Sequence, residues 1–119
     1  EALQRIRSMV DAKGHLISFP VEVRFTAKDD IVLSTASGRD SAYIAVHMYK
    51  GMAYEPYFRD VADIMSDYEG RPHWGKMHFL NDNDLSKLYP RWNEFIAARE
   101  TRDPHRTFAN AYTEQVFGK

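Results

Sequence analysis

The chain has 119 residues, enough for one compact domain, and its 44% hydrophobic and 13% aromatic content supplies a core. A net charge of −1 at pH 7 gives no reason to expect nucleic acid as a partner, and the absence of cysteine rules out disulfides and thiolate-held metals. No apolar run approaches the roughly 20 residues of a membrane span and no signal peptide is visible, so membrane association is not indicated and a cytoplasmic location is expected.

In chain order, Ala2, Leu3, Ile6, Met9 and Val10 recur at helical spacing, and Gly14 stands where such a helix ends, predicting a helix over residues 1–13. The first residue is Glu1 rather than Met and already reads as helix, so an origin inside a longer chain is expected. From His15 to Thr26 the alternation of Val21, Val23 and Phe25 with Glu22, Arg24 and Thr26 predicts a half-buried strand, with Pro20 marking an edge or bulge at its start. Residues 27–40 read as loop. Ser41 to Tyr49 reads as a second strand, with Ala42, Ile44, Val46 and Met48 on one face and Tyr43, Ala45, His47 and Tyr49 on the other.

Pro56 suits the first turn of a helix whose apolar stripe is Phe58, Val61, Ile64, Met65 and Tyr68, closed by Gly70. Arg71 to Leu80 is expected to be a short strand entered through Pro72. Asp82 or Asp84 can cap a short helix holding Leu85 and Leu88. Trp92, Phe95, Ile96 and Arg99 mark another helix, Asp103-Pro104 a turn, and the stretch from Thr107 to Lys119 a partly helical tail. This interspersion predicts an α+β fold, an antiparallel sheet covered by helices on one face.

Three groupings can carry chemistry. Glu22 and Arg24 share one strand face opposite an apolar one; a carboxylate beside a guanidinium can hold a polyhydroxylated ligand, or form an ordinary solvated ion pair. His47 lies with Tyr43 and Tyr49 on a face suited either to a polar pocket or to a sheet hydrogen bond. His73-Trp74-Gly75-Lys76 sets a lysine beside aromatics, where it can stabilise an anion, and Gly75 allows close backbone approach; a surface turn is the plainer reading. The histidines show no His-x-x-x-His spacing, which leaves a metal site built on His73 and His78 as a minor alternative.

Five segments occur in a telling order: Phe19-Pro20-Val21-Glu22-Val23-Arg24; Leu33-Ser34 with Gly38-Arg39-Asp40; Arg71-Pro72-His73-Trp74-Gly75-Lys76; Leu88-Tyr89-Pro90-Arg91-Trp92; and Asp103-Pro104 with Phe108-Ala109-Asn110. Together they resemble the carboxy-terminal region of the aldonolactone oxidoreductases, which include D-arabinono-1,4-lactone oxidase, L-gulono-1,4-lactone oxidase or dehydrogenase, and the alditol oxidases. The resemblance implies residues 1–119 are the substrate-binding or cap region of a two-domain flavoenzyme, with an FAD-binding domain of the vanillyl-alcohol-oxidase type elsewhere in a longer chain. It implies FAD as cofactor, bound mainly by that domain, and a sugar lactone or polyol as substrate.

By the same resemblance Glu22, Arg24 and Lys76 are catalytic, His47, His73 and Tyr49 meet substrate, and Lys76, Arg24 and Asn110 approach the flavin. A histidine at position 47, where alditol oxidases carry threonine, favours a lactone over a linear polyol such as xylitol or sorbitol. The isolated chain is expected to be inactive. The competing class is a non-enzymatic sugar- or peptide-binding module using Tyr43, His47, Tyr49, Glu22 and Arg24.

Overall fold

The computed structural model describes residues 1–119 and contains five helices and a two-stranded antiparallel sheet, so the chain is α+β as expected. The elements are α1 (Ala2–Lys13), β1 (Glu22–Thr26), β2 (Ser41–Ala45), α2 (Glu55–Ser66), α3 (Asp82–Leu88), α4 (Trp92–Arg102) and α5 (Ala111–Phe117). The chain divides into two units: Glu1–Thr26 with Ser41–Gly70, and Ala27–Asp40 with Arg71–Lys119.

In the first unit the two helical stripes do what their spacing dictates. Ile6 of α1 and Tyr57, Val61 and Ile64 of α2 form a buried cluster, onto which Ile44, Val46 and Met48 pack from the β2 side. Full burial of such side chains stabilises by about 1.5–3 kcal/mol each. Polar pairs fasten the helices at both ends: Arg5 donates to Asp67 at 2.5 Å, and Lys13 to Asp60 at 2.5 Å. His15, just beyond α1, meets the other Asp60 oxygen at 2.6 Å. The Lys13 ammonium and then His15 hold the Asp60 carboxyl below its usual range.

α1 stops at Gly14, whose φ of 67° is left-handed and whose N–H donates to the Val10 carbonyl at 2.9 Å. The end of α2 differs from the expected glycine closure. The helix stops at Ser66, Glu69 takes the left-handed conformation (φ 51°), and the Gly70 N–H folds back to the Met65 carbonyl at 2.9 Å. A Cβ at Gly70 would sit 2.9 Å from that carbonyl oxygen, so glycine is required by close approach and not by φ.

The strands pair from Glu22 with Ala45 to Thr26 with Ser41. Both are shorter than the alternation suggests: β1 starts at Glu22 rather than His15, and β2 ends at Ala45 rather than Tyr49. Pro20 has no N–H to give a ladder. Beyond β2, side-chain bonding replaces it, because the Ser18 hydroxyl accepts the Tyr49 N–H at 3.3 Å and donates to the Met48 sulfur at 3.6 Å. The expectation that the Val23 and Phe25 face is core holds only at one end: Val23 is half-buried, whereas Phe25 is 82% exposed.

The second unit is organised by Leu85, Tyr89, Trp92 and Val116, all buried, with Leu33, Trp74, Leu80, Leu88, Ile96 and Phe117 packed around them. The expected strand over Arg71–Leu80 does not form. Its residues spend their polar groups elsewhere: the Arg71 guanidinium donates to the carbonyls of Leu88 (2.9 Å) and Ser37 (2.7 Å), and Trp74 Nε1 to Leu33 (2.8 Å). A turn through His73–Lys76 completes the break, closed by the Lys76 N–H on the His73 carbonyl at 3.0 Å. The cap of α3 is Asn81, not Asp82 or Asp84: Asn81 accepts the Asp84 N–H while the Asp84 carboxylate accepts the Asn81 N–H. α5 starts with the same reciprocal arrangement between Asn110 and Thr113.

Candidate functional site

In the first unit Glu22 and Arg24 project from the same face of β1, as their spacing of two requires, and their side chains form an ion pair. The Arg24 side chain is 75% exposed and that of Glu22 43%. An exposed pair of this kind contributes only about 0–1 kcal/mol to folding. Chemically the pair presents carboxylate oxygens that accept hydroxyl protons and a guanidinium that donates to carbonyl-type oxygens.

His47 lies two residues past the end of β2 and still reaches this face. Glu22 pairs with Ala45, so a continued alternation keeps residue 47 on the Glu22 side. Its Nε2 stands 4.0 Å from Glu22 Oε2. The Phe19 ring meets His47 edge-on, with centroids 5.5 Å apart, and meets Tyr49 in the same way at 5.7 Å. The Tyr49 ring is 60% exposed. The structure thus links Arg24, Glu22 and His47 in sequence and sets His47 and Tyr49 against Phe19, a residue whose part in the grouping leaves no periodic signal in the sequence.

The other expected residues belong to the second unit. The Gly75 N–H donates to His73 Nδ1 at 3.0 Å, so the neutral ring carries its proton on Nε2 and offers that N–H outward. The close approach that glycine permits at position 75 is filled by this ring: an added Cβ would meet His73 Cε1 at 3.4 Å. Lys76 is exposed at the end of the turn. Trp74 is its anchor, stacked on Tyr89 with centroids 5.3 Å apart. Asn110 uses its side-chain oxygen to accept the Thr113 N–H at 3.0 Å as the cap of α5. His78 turns from any metal-like cluster to Tyr112: its Nε2 lies 3.1 Å from the hydroxyl, which itself donates to the Trp74 carbonyl at 2.6 Å. Burial holds the His78 imidazole below its ordinary value.

Arg71 is missing from the sequence-derived candidates, although it fixes the neighbourhood of the His73–Lys76 turn. Its guanidinium also lies over the Tyr89 ring, 4.9 Å from the centroid. The two most specific sequence segments, Arg71–Lys76 and Leu88–Trp92, are therefore partners in one core.

The sequence model of the D-arabinono-1,4-lactone oxidase family matches residues 1–116, and the chain belongs to that family. It is 54% identical over 118 residues to the L-gulono-1,4-lactone dehydrogenase of Mycobacterium tuberculosis, covering 99% of this chain and 28% of that protein. It is 42% identical to the L-gulonolactone oxidase of Bos taurus, covering 98% of this chain and 28% of the relative. An alditol oxidase of Streptomyces is 30% identical, with 98% of this chain and 27% of the relative covered. The chain thus spans a little over a quarter of the length of these relatives. No helix is long and apolar enough to cross a membrane.

Proposed function

We propose that this chain is the carboxy-terminal, substrate-covering part of an FAD-dependent oxidoreductase that oxidises a carbinol of an aldono-1,4-lactone of the L-gulono or D-arabinono type. The FAD-binding domain lies in the remainder of a longer protein. The observation that carries this reading is the exposed grouping of Glu22, Arg24 and His47 on one side of β1 and β2, in a chain 54% identical to an L-gulono-1,4-lactone dehydrogenase. Exposed apolar side chains, Leu16 and Phe25 in the first unit and Phe108 in the second, support a continuation of the protein that covers them.

Arg24 in the first unit and Lys76 in the second each suit the edge of a flavin ring, and neither unit offers more for the cofactor. Arg24 and Lys76 are exposed cations suited to a ring that gains negative charge, while the chain has no glycine-rich loop for a pyrophosphate. When bound, FAD would supply the hydride acceptor. The residues of this chain do the rest. Glu22 accepts hydrogen bonds from the lactone hydroxyls and is the carboxylate able to take the proton released as the carbonyl forms, a role open to Lys76 only as the neutral amine. His47 and Tyr49 meet further hydroxyls, and the His73 Nε2–H is a donor aimed away from its own turn. Arg24 in the first unit and Lys76 in the second each supply a positive charge to the negative charge that develops.

The test uses the complete protein, mixed without oxygen with L-gulono-1,4-lactone or D-arabinono-1,4-lactone while the visible spectrum is recorded. A flavin spectrum that bleaches with a lactone is expected. Bleaching only with xylitol or sorbitol would move the assignment to an alditol oxidase, and a colourless protein would favour the binding module. Arg24→Ala and Lys76→Ala should each slow bleaching by roughly a hundredfold, the effect of losing one preorganised electrostatic group. Near-normal rates in both variants would sink the residue assignment.

A further inference from the structure

The Phe19 ring contacts both His47 and Tyr49 edge-on, at interplanar angles of 60° and 80°. Ser18 supports this arrangement. Its hydroxyl binds the backbone N–H of Tyr49 and the sulfur of Met48, stitching residues 18–19 to residues 48–49 across the end of the sheet. The Pro20 ring follows, fixing φ and limiting how residue 19 can turn.

His47 needs such a support. At 4.0 Å its Nε2 is beyond hydrogen-bond range of Glu22, whose other oxygen is engaged by Arg24. A half-exposed imidazole with two free torsions would otherwise lose rotamer freedom whenever it met a ligand. The Phe19 edge removes that freedom in advance, which is how preorganisation strengthens binding without adding a contact.

We propose that Phe19 is a positioning residue for lactone binding, holding the His47 imidazole beside the Glu22 carboxylate so that both meet the substrate hydroxyls together. This rests on the reading of His47 as a substrate-facing group.

The test is a double-substitution cycle in the complete flavoenzyme with Phe19→Ala, His47→Ala and the combination, plus Phe19→Tyr as the conservative variant. The enzyme is reduced beforehand with dithionite, so that L-gulono-1,4-lactone binds without turnover and calorimetry gives a Kd. Phe19→Ala should weaken binding about three- to tenfold, the fold-change of losing an edge-to-face ring contact. Phe19→Tyr should stay within about twofold, since it keeps the ring edge. In the His47→Ala background Phe19→Ala should cost clearly less than in the unsubstituted enzyme, the remainder being carried by Tyr49, which the same ring touches. Additive losses, or an unchanged Kd in Phe19→Ala, would overturn the proposal while lactone-driven bleaching of the unsubstituted enzyme left the assigned reaction standing. A His47→Ala variant with unchanged Kd would overturn the proposal together with the role of His47. An unsubstituted enzyme bleached by no lactone would overturn the assigned reaction itself.

Discussion

Replacing Arg71 probes what holds the second unit together. Its guanidinium donates to two carbonyls, of Leu88 at 2.9 Å and Ser37 at 2.7 Å, reaches Thr35 weakly at 3.4 Å, and lies over the Tyr89 ring. Hydrogen bonds to a charged group contribute about 1.5–3 kcal/mol each, and a partly exposed cation over a ring about 0.5–1 kcal/mol. A lysine can keep one of the bonds but cannot reproduce the fork, so Arg71→Lys should cost about 2 kcal/mol and Arg71→Ala about 3–4 kcal/mol. The assay is built into the sequence: Trp74 and Trp92 are the two tryptophans, and both belong to the second unit. Tryptophan fluorescence, excited selectively over the seven tyrosines, therefore follows that unit during urea unfolding. With a urea slope of about 1 kcal/mol per M for so small a unit, Arg71→Lys should lower the midpoint by about 2 M. A midpoint shifted by less than about 0.3 M in Arg71→Ala would refute the reasoning, because it would mean that water satisfies those carbonyls equally well.

Two further outcomes are expected. His78 titrates below its ordinary value of 6.5 because of burial, and its Nδ1 is buried without a protein partner, so the unfolded chain binds the proton more readily than the folded one. Stability of the second unit should therefore be full above about pH 6.5 and decline as the pH falls below it, and His78→Gln should flatten that decline in the tryptophan-detected midpoint; an equal decline in both proteins would contradict it. At Asn110, removal of the cap in Asn110→Ala should cost about 1 kcal/mol while Asn110→Asp costs little. If the Asn110 amide also touches flavin, Asn110→Asp in the complete enzyme will weaken FAD binding without losing stability, which spectral titration of FAD would show.

The helices were legible because their signals are local. Apolar spacing located α1, α2 and α4, and Gly14 the end of the first, since a left-handed C-cap needs no distant partner. What the sequence hid is side-chain bonding to remote backbone. Ser18 taking the Tyr49 N–H shortens the ladder, and Arg71 and Trp74 reaching Ser37 and Leu33 leave a turn where a short strand is expected. Such bonds have no period. Alternation did place Glu22 with Arg24, and counting onward from Ala45 brings His47 to the same side although the strand has ended. The choice of Asp82 or Asp84 over Asn81 as cap came from scoring residue types singly, whereas a capping box is a property of a pair.

The loop of residues 27–40 joins two strands of one unit yet belongs to the other, so the chain passes between units after Thr26, after Asp40 and after Gly70. This interleaving makes the two units unequal under deletion. Thr26 and Ser41 are paired across β1 and β2, so a two-residue turn could span them and leave the first unit as an uninterrupted stretch of chain. The second unit has no such shortcut. Removing the loop takes away the carbonyls of Leu33 and Ser37 on which Trp74 and Arg71 depend. Loop shortening would therefore leave the first unit's ladder paired while stripping the second unit of these acceptors, a loss read in the tryptophan signal.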